Sequence, residues 1–122
     1  MLTSIRLITA DVARLTGFYE LVTGLTARRP TPLFAELVTP GATLAIGALA
    51  TVPFLDRAVS GTAIVEFRVA DVDAEFTRLR PSIPEFVLEP TTMPWGNRSM
   101  LFRDPDGTLV NVYTPPAPGP VE

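Results

Sequence analysis

The sequence predicts an α+β fold in which one strand–helix–strands unit occurs twice along 122 residues. Three observations carry that expectation. Ser4 to Thr9 and Ile64 to Val69 alternate their side chains with the period of a strand. Soon after each comes an aspartate, Asp11 or Asp71, followed by apolar residues at helical spacing. Shifting the chain by 60 lays Ala10-Asp11-Val12 on Ala70-Asp71-Val72, and shifting it by 65 lays Pro40 on Pro105 and Thr43-Leu44 on Thr108-Leu109.

In the first half, alternation puts Ile5 and Leu7 on one face of the opening strand and Ser4, Arg6 and Ile8 on the other. Asp11 caps a helix whose apolar side is Val12, Leu15, Phe18, Tyr19 and Val22, with Tyr19 in the core or at a dimer contact, and Gly24 ends it. The prolines in Arg28-Arg29-Pro30-Thr31-Pro32 mark a turn into a short strand, Leu33 to Val38. Pro40-Gly41 turns the chain into the returning strand Thr43 to Leu49, and Val52 to Gly61 connects the halves.

The second half repeats the programme. After Ile64 to Val69, Asp71 caps a helix carrying Val72, Phe76 and Leu79, stopped by Pro81. A strand over Glu85 to Leu88 precedes a loop, Pro90 to Asn97, that contains Trp95. Arg98 to Arg103 and Thr108 to Tyr113 are strands joined by the turn Asp104-Pro105-Asp106-Gly107. The proline-rich tail, residues 115–122, is expected to be extended and poorly ordered.

Composition closes several kinds of chemistry. The chain has no Cys and no His, and all ten basic residues are Arg. Disulfides, thiolate nucleophiles, imidazole bases and Schiff-base lysines are therefore excluded. A net charge of -3 argues against a surface that tracks nucleic-acid phosphates. No apolar run is long enough to span a membrane, and the opening MLTSIRL lacks the features of a signal peptide, so the expected location is cytoplasmic.

Phe18-Tyr19-Glu20-Leu21 before Gly24, the Asp71-Val72-Asp73 helix opening and Asp104-Pro105-Asp106-Gly107 before a final strand resemble the vicinal oxygen chelate superfamily. This group holds glyoxalase I, extradiol dioxygenases, fosfomycin-inactivating enzymes and bleomycin resistance proteins. The resemblance implies one domain of two tandem βαβββ modules, at about residues 1–50 and 61–114. Their curved mixed sheets are expected to enclose a cup that is completed in a homodimer.

Metal-binding members carry His and Glu ligands at two strand positions per module, which the resemblance maps onto Ser4, Ile46, Ile64 and Asn111. Those side chains make poor ligands, so no metal and no cofactor is expected. Alternation places Ser4, Arg6, Ile8, Ile64, Glu66, Arg68, Leu109, Asn111 and Tyr113 on the cup wall, joined across the repeat by Leu44 and Ile46. Arg6 and Glu66 are equivalent under the 60-residue shift, and either form an inward ion pair or touch a ligand. Trp95 either stacks on a ligand at the cup mouth or anchors its loop, while Phe34 and Phe54 are expected to pack in the core.

The expected ligand-binding set is therefore Ser4, Arg6, Ile46, Ile64, Glu66, Trp95, Asn111 and Tyr113. The function this supports is metal-independent binding of a hydrophobic or aromatic metabolite or antibiotic. The alternative is a metal-independent lyase, isomerase or dioxygenase-like enzyme with Glu66 as base and Arg6 stabilising an oxyanion.

Overall fold

The computed structural model describes residues 2–52 and 63–117. The chain divides into two compact units, Met1–Gly61 and Thr62–Glu122, and among the described residues each holds a four-stranded mixed sheet and one α-helix, with a short 3-10 turn, Leu49–Thr51, in the first. The first unit contains β1 (Ser4–Thr9), α1 (Val12–Thr23), β2 (Arg28–Thr31), β3 (Phe34–Val38) and β4 (Thr43–Ala48). The second contains β5 (Ile64–Arg68), α2 (Val72–Leu79), β6 (Phe86–Thr92), β7 (Arg98–Arg103) and β8 (Leu109–Thr114). Strand order is β1-β4-β3-β2 in one sheet and β5-β8-β7-β6 in the other, so the repeat read from the sequence is a repeat of topology. Among the described residues no helix is long and apolar enough to cross a membrane.

Both helices begin where the aspartates place them. The Asp11 carboxylate accepts from the Arg14 N–H, and that of Asp71 from the N–H groups of Asp73 and Ala74, which satisfies donors a first helical turn leaves open. Gly24 ends α1 in the left-handed conformation at φ 73°, its N–H donating to the Glu20 carbonyl at 2.8 Å. Leu15, Tyr19 and Val22 are buried as α1 packs on β3 and β4, where Ala35, Leu37, Leu44 and Ile46 are also buried. Tyr19, fully buried, is core. Ile5 shares that sheet face yet stays 52% exposed, because β1 is the outer strand and α1 lies over β3 and β4. In the second unit Val72 and Leu79 cover Met100, Phe102, Val110 and Val112, all buried. Phe76 of α2 meets Phe86 edge-on at 4.9 Å, and Phe86 meets Phe102 at 5.7 Å.

Two segments read as turn and loop are strands. Arg28–Thr31 pairs with β3, and β6 runs on through Pro90 to Thr92 instead of stopping at Leu88. Pro30 and Pro90, 60 residues apart, sit in the two outer strands, where a missing N–H removes no bond from a central ladder. Both strands break register near their proline. The inter-module connector beyond Val52, with Phe54, lies outside the described residues, as does the tail beyond Ala117.

The repeat also slips by one residue. Ser4 pairs with Thr43 and Ile64 with Leu109, so the last strands correspond at a shift of 66 (109 − 43), not 65. The extra residue lies in the hairpin: residues 39–42 link β3 to β4, whereas residues 104–108 link β7 to β8. Matching proline on proline in the turns puts the following strand out of step, and one step moves every side chain to the other face.

The longer turn is held by a buried carboxylate. Asp104 is 4% exposed, and its Oδ1 accepts from the N–H groups of Asp106 and Thr108, each at 2.9 Å. Asp104→Ala leaves those donors unpaired and should lower unfolding free energy by about 1–3 kcal/mol, while Asp104→Asn, which keeps an acceptor, retains most of it. Urea unfolding of the three proteins reads the difference, and equal midpoints would remove the turn's assigned role.

A second anchor ties α1 to the outer strand β2. Glu20 accepts from the Ala27 N–H at 2.8 Å and grips the Arg29 guanidinium with both oxygens at 3.0 and 2.7 Å. Arg29, and then the Ala27 N–H, hold the Glu20 carboxyl down at about 2, against an ordinary 4.5. A carboxylate with a depressed folded pKa stabilises fully above its unfolded value, and that contribution fades as pH falls from about 4.5 toward about 2. Glu20→Gln should therefore lower the thermal midpoint by a few degrees at pH 7, a difference that shrinks as pH falls from about 4.5 and vanishes only below about 2. A gap between the two proteins that stays constant across that range would show that Glu20 acts through packing instead.

Candidate functional site

Each sheet has a face turned away from its helix, and strand register settles which side chains stand on it. In the first unit Arg6 pairs with Ala45, which pairs with Glu36, and Gly47 pairs with both Ile8 and Phe34. Paired residues project to the same side, so Ser4, Arg6, Ile8, Phe34, Glu36, Thr43 and Ala45 share the open face. The other face carries Leu7, Ala35, Leu37, Leu44 and Ile46.

Ile46 therefore does not stand with Ser4 and Arg6. It pairs with Leu7 and is fully buried on the helix side, as is Leu44 beside it, because of the one-residue slip. Phe34 is corrected the other way: expected in the core, it is half-buried on the open face.

That face forms a hollow of about 480 Å³, walled by Ser4 and Arg6 on β1 and by Phe34 and Glu36 on β3, with Thr43 and Ala45 of β4 between them. The centre is low because β4 offers small residues. A methyl group on Gly47 would lie 3.0 Å from Thr51 Oγ1, 3.5 Å from Arg6 Cδ and 3.6 Å from Phe34 Cδ2. The absent side chain lets the Arg6 stem and the Phe34 ring close in on the backbone. Neither Arg6 nor Glu36 has a hydrogen-bond or ion-pair partner among the described residues. Sequence reasoning missed Thr3, Glu36, Thr43 and Ala45 of this lining; for Ala45 the signal was the alternation Leu44-Ala45-Ile46-Gly47, whose bulky members belong under the helix and whose small ones belong opposite.

The second unit's open face keeps the expected set together. Ile64 pairs with Leu109, Glu66 with Asn111 and Arg68 with Tyr113. Its centre is filled, since Asn111 and Tyr113 stand where the first sheet has Ala45 and Gly47. Asn111 Nδ2 donates to Glu66 Oε2 at 2.9 Å, which commits one oxygen of the carboxylate the sequence offered as a base. Asn111 Oδ1 is buried and has no hydrogen-bond partner among the described residues. Trp95 stands on the turn from Met93 to Asn97, closed by Met93 N–H to Asn97 O at 2.7 Å, and is 69% exposed. Gly96 beside it abuts Pro116, so the loop is braced by the tail and not by the indole.

With the register corrected, the positions assigned to metal ligands are Ser4 and Ala45 in the first unit and Ile64 and Asn111 in the second. A hydroxyl beside a methyl, and an alkyl group beside a carboxamide already bound to Glu66, do not fit a divalent ion. Among the described residues no three Asp or Glu side chains gather into a metal-holding group.

A family model described as Glyoxalase/Bleomycin resistance protein/Dioxygenase superfamily matches residues 2–112. Among solved structures, a conserved domain protein aligns with a TM-score of 0.82 at 26% identity, over 93% of this chain and 97% of that one. A glyoxalase/bleomycin resistance protein/dioxygenase from Nocardioides aligns at 0.75 and 27% identity, over 100% and 89%. A protein from the mobile metagenome of V. Pseudocholerae aligns at 0.76 and 26% identity, over 93% of each chain. No curated protein matches the sequence.

The face assignment makes a differential prediction. Ile46→Ala removes a fully buried side chain from between sheet and helix and should cost about 2–5 kcal/mol of stability. Phe34→Ala, on the open face, should cost clearly less. Chemical denaturation of both variants checks this, and a reversed order would mean that the register is wrong.

Proposed function

The chain belongs to the Glyoxalase/Bleomycin resistance protein/Dioxygenase superfamily, and from that premise we propose that it is a metal-independent binding protein which, as a homodimer, sequesters an aromatic small molecule such as a metabolite or antibiotic. The observation that carries the reading is the hollow on the open face of the first sheet, with an aromatic wall at Phe34 and two charged side chains, Arg6 and Glu36, that have no partner among the described residues. A concave surface with a few convergent polar groups is the usual form of a small-molecule site. A guanidinium and a carboxylate held without partners have unused hydrogen-bonding capacity that a ligand can take up. Metal independence is supported by the donor set, which offers no imidazole, no thiolate and no clustered carboxylates among the described residues.

Native mass spectrometry of protein purified without chelator tests the assembly state and the cargo together. The expected spectrum is a dimer that carries a small organic molecule and no stoichiometric divalent ion. Chain stripped of that cargo should gain thermal stability from aromatic compounds, by about 2.7 kcal/mol when a ligand is present at about 100 times its Kd. A stoichiometric metal would overturn the metal-independent reading. Bare chain with no stabilisation across a broad aromatic panel would overturn the binding reading.

A further inference from the structure

The same hollow carries a more specific reading, which rests on the binding function proposed above. We infer that it takes a planar aromatic molecule with a cationic amine at one end and an anionic group at the other, laid across β4 so that Glu36 receives the amine and Arg6 the anion.

The geometry starts from one row of the sheet, in which Arg6, Ala45 and Glu36 are in register on β1, β4 and β3. Neighbouring strands lie about 4.8 Å apart, so the backbones bearing the two charges are separated by roughly 9.6 Å. Opposite charges on one face would ordinarily close into an ion pair, yet the ion pairs between described residues join Glu20 to Arg29, Glu75 to Arg78 and Asp73 to Arg98. Arg6 and Glu36 remain apart, and the space between them is floored by the methyl of Ala45. A flat body can lie on that floor. The Phe34 ring, 3.6 Å from where a Gly47 methyl would stand, supplies its apolar wall.

The charges also read direction. A ligand bearing only an anion would meet Arg6 but bring its far end to a carboxylate, and one bearing only an amine would meet Glu36 and approach a guanidinium. Arg28 pairs with Glu36 from the outer strand, but it does not line the hollow and makes no ion pair with Glu36, so that carboxylate is left for the ligand. In the second unit the corresponding row is Glu66, Asn111 and Leu101, with the centre filled and the carboxylate bonded to the amide, so the reading is confined to the first unit.

The probe that tests this is 6-(aminomethyl)-2-naphthoate, whose charged ends span a distance of about two strand spacings. It is compared by calorimetry with 2-naphthoate and 2-naphthylmethylamine, which carry one end each. The two-ended probe should bind about tenfold tighter than either. Glu36→Gln should bring it down to the affinity of 2-naphthoate while leaving 2-naphthoate unchanged or improved. Arg6→Gln should do the converse with 2-naphthylmethylamine. Ala45→Leu, which raises the floor, should weaken all three probes, with thermal midpoints recorded for each variant to establish folding. Equal affinities for the three probes, no binding of any of them, or binding that Ala45→Leu leaves intact would each overturn the inference. The binding function itself stands or falls separately, on the co-purified cargo and the aromatic panel.

Discussion

Parallel pairing of the first and last strand of each unit is the constraint on which the rest of the structure depends. In β1–β4 and β5–β8 the connection runs through a helix and a hairpin, so the register is fixed over a long loop and then read at every position of both strands. Once Ser4 faces Thr43 and Ile64 faces Leu109, alternation decides which side chains meet the helix and which stand on the open face. The helices hold that decision in place. Their buried rows, with Leu15, Tyr19 and Val22 in α1 and Val72 and Leu79 in α2, match the bulky residues of one sheet face only. A slipped register would expose Ile46 and Met100 and bury Arg6 and Glu66, at a cost of several kcal/mol of apolar burial and charge desolvation.

The same scaffold, used twice, yields two unlike open faces. In the first sheet the small side chain of Ala45 leaves space over β4, and the large side chains stand at the sides, on β1 and β3. In the second, Leu109, Asn111 and Tyr113 occupy the corresponding strand, and the Asn111–Glu66 hydrogen bond uses polar capacity that the first sheet leaves open. A duplicated fold can thus leave one copy's face open and fill the other's with a few changes in side-chain size, because the ladder hydrogen bonds are indifferent to what the side chains are.

Membership of the superfamily establishes ancestry and architecture, and chemistry has to be read from the residues at each position. Where the resemblance points to metal ligands this chain presents a hydroxyl, a methyl, an alkyl group and an amide. Arginine and glutamate stand elsewhere on the same faces, suited to holding charge on an organic molecule more than to coordinating an ion. Among the described residues Arg6 and Glu36 pair with no other side chain, which leaves their donors and acceptors facing solvent on the open face.

The sequence by itself determined the local signals. Helix starts at Asp11 and Asp71, the stop at Gly24, the duplicated order of elements and the absence of imidazole and thiol were all legible, because each is set by a residue's own backbone chemistry or by simple presence. The second unit's open face was legible too, since Ile64, Glu66, Asn111 and Tyr113 follow from alternation within two strands. Tertiary structure alone decided what depends on partners. Pro30 and Pro90 read as breakers until their strands proved to be sheet edges, where a proline is tolerated. Ile46 read as a wall residue until the hairpin lengths, residues 39–42 against 104–108, showed the repeat to be one residue out of step. Glu36 and Phe34 became neighbours of Arg6 only through β4, which lies between them in the sheet and follows them in the chain. A side chain's face depends on a register that no short stretch of sequence contains, and the hollow is built from three such registers at once.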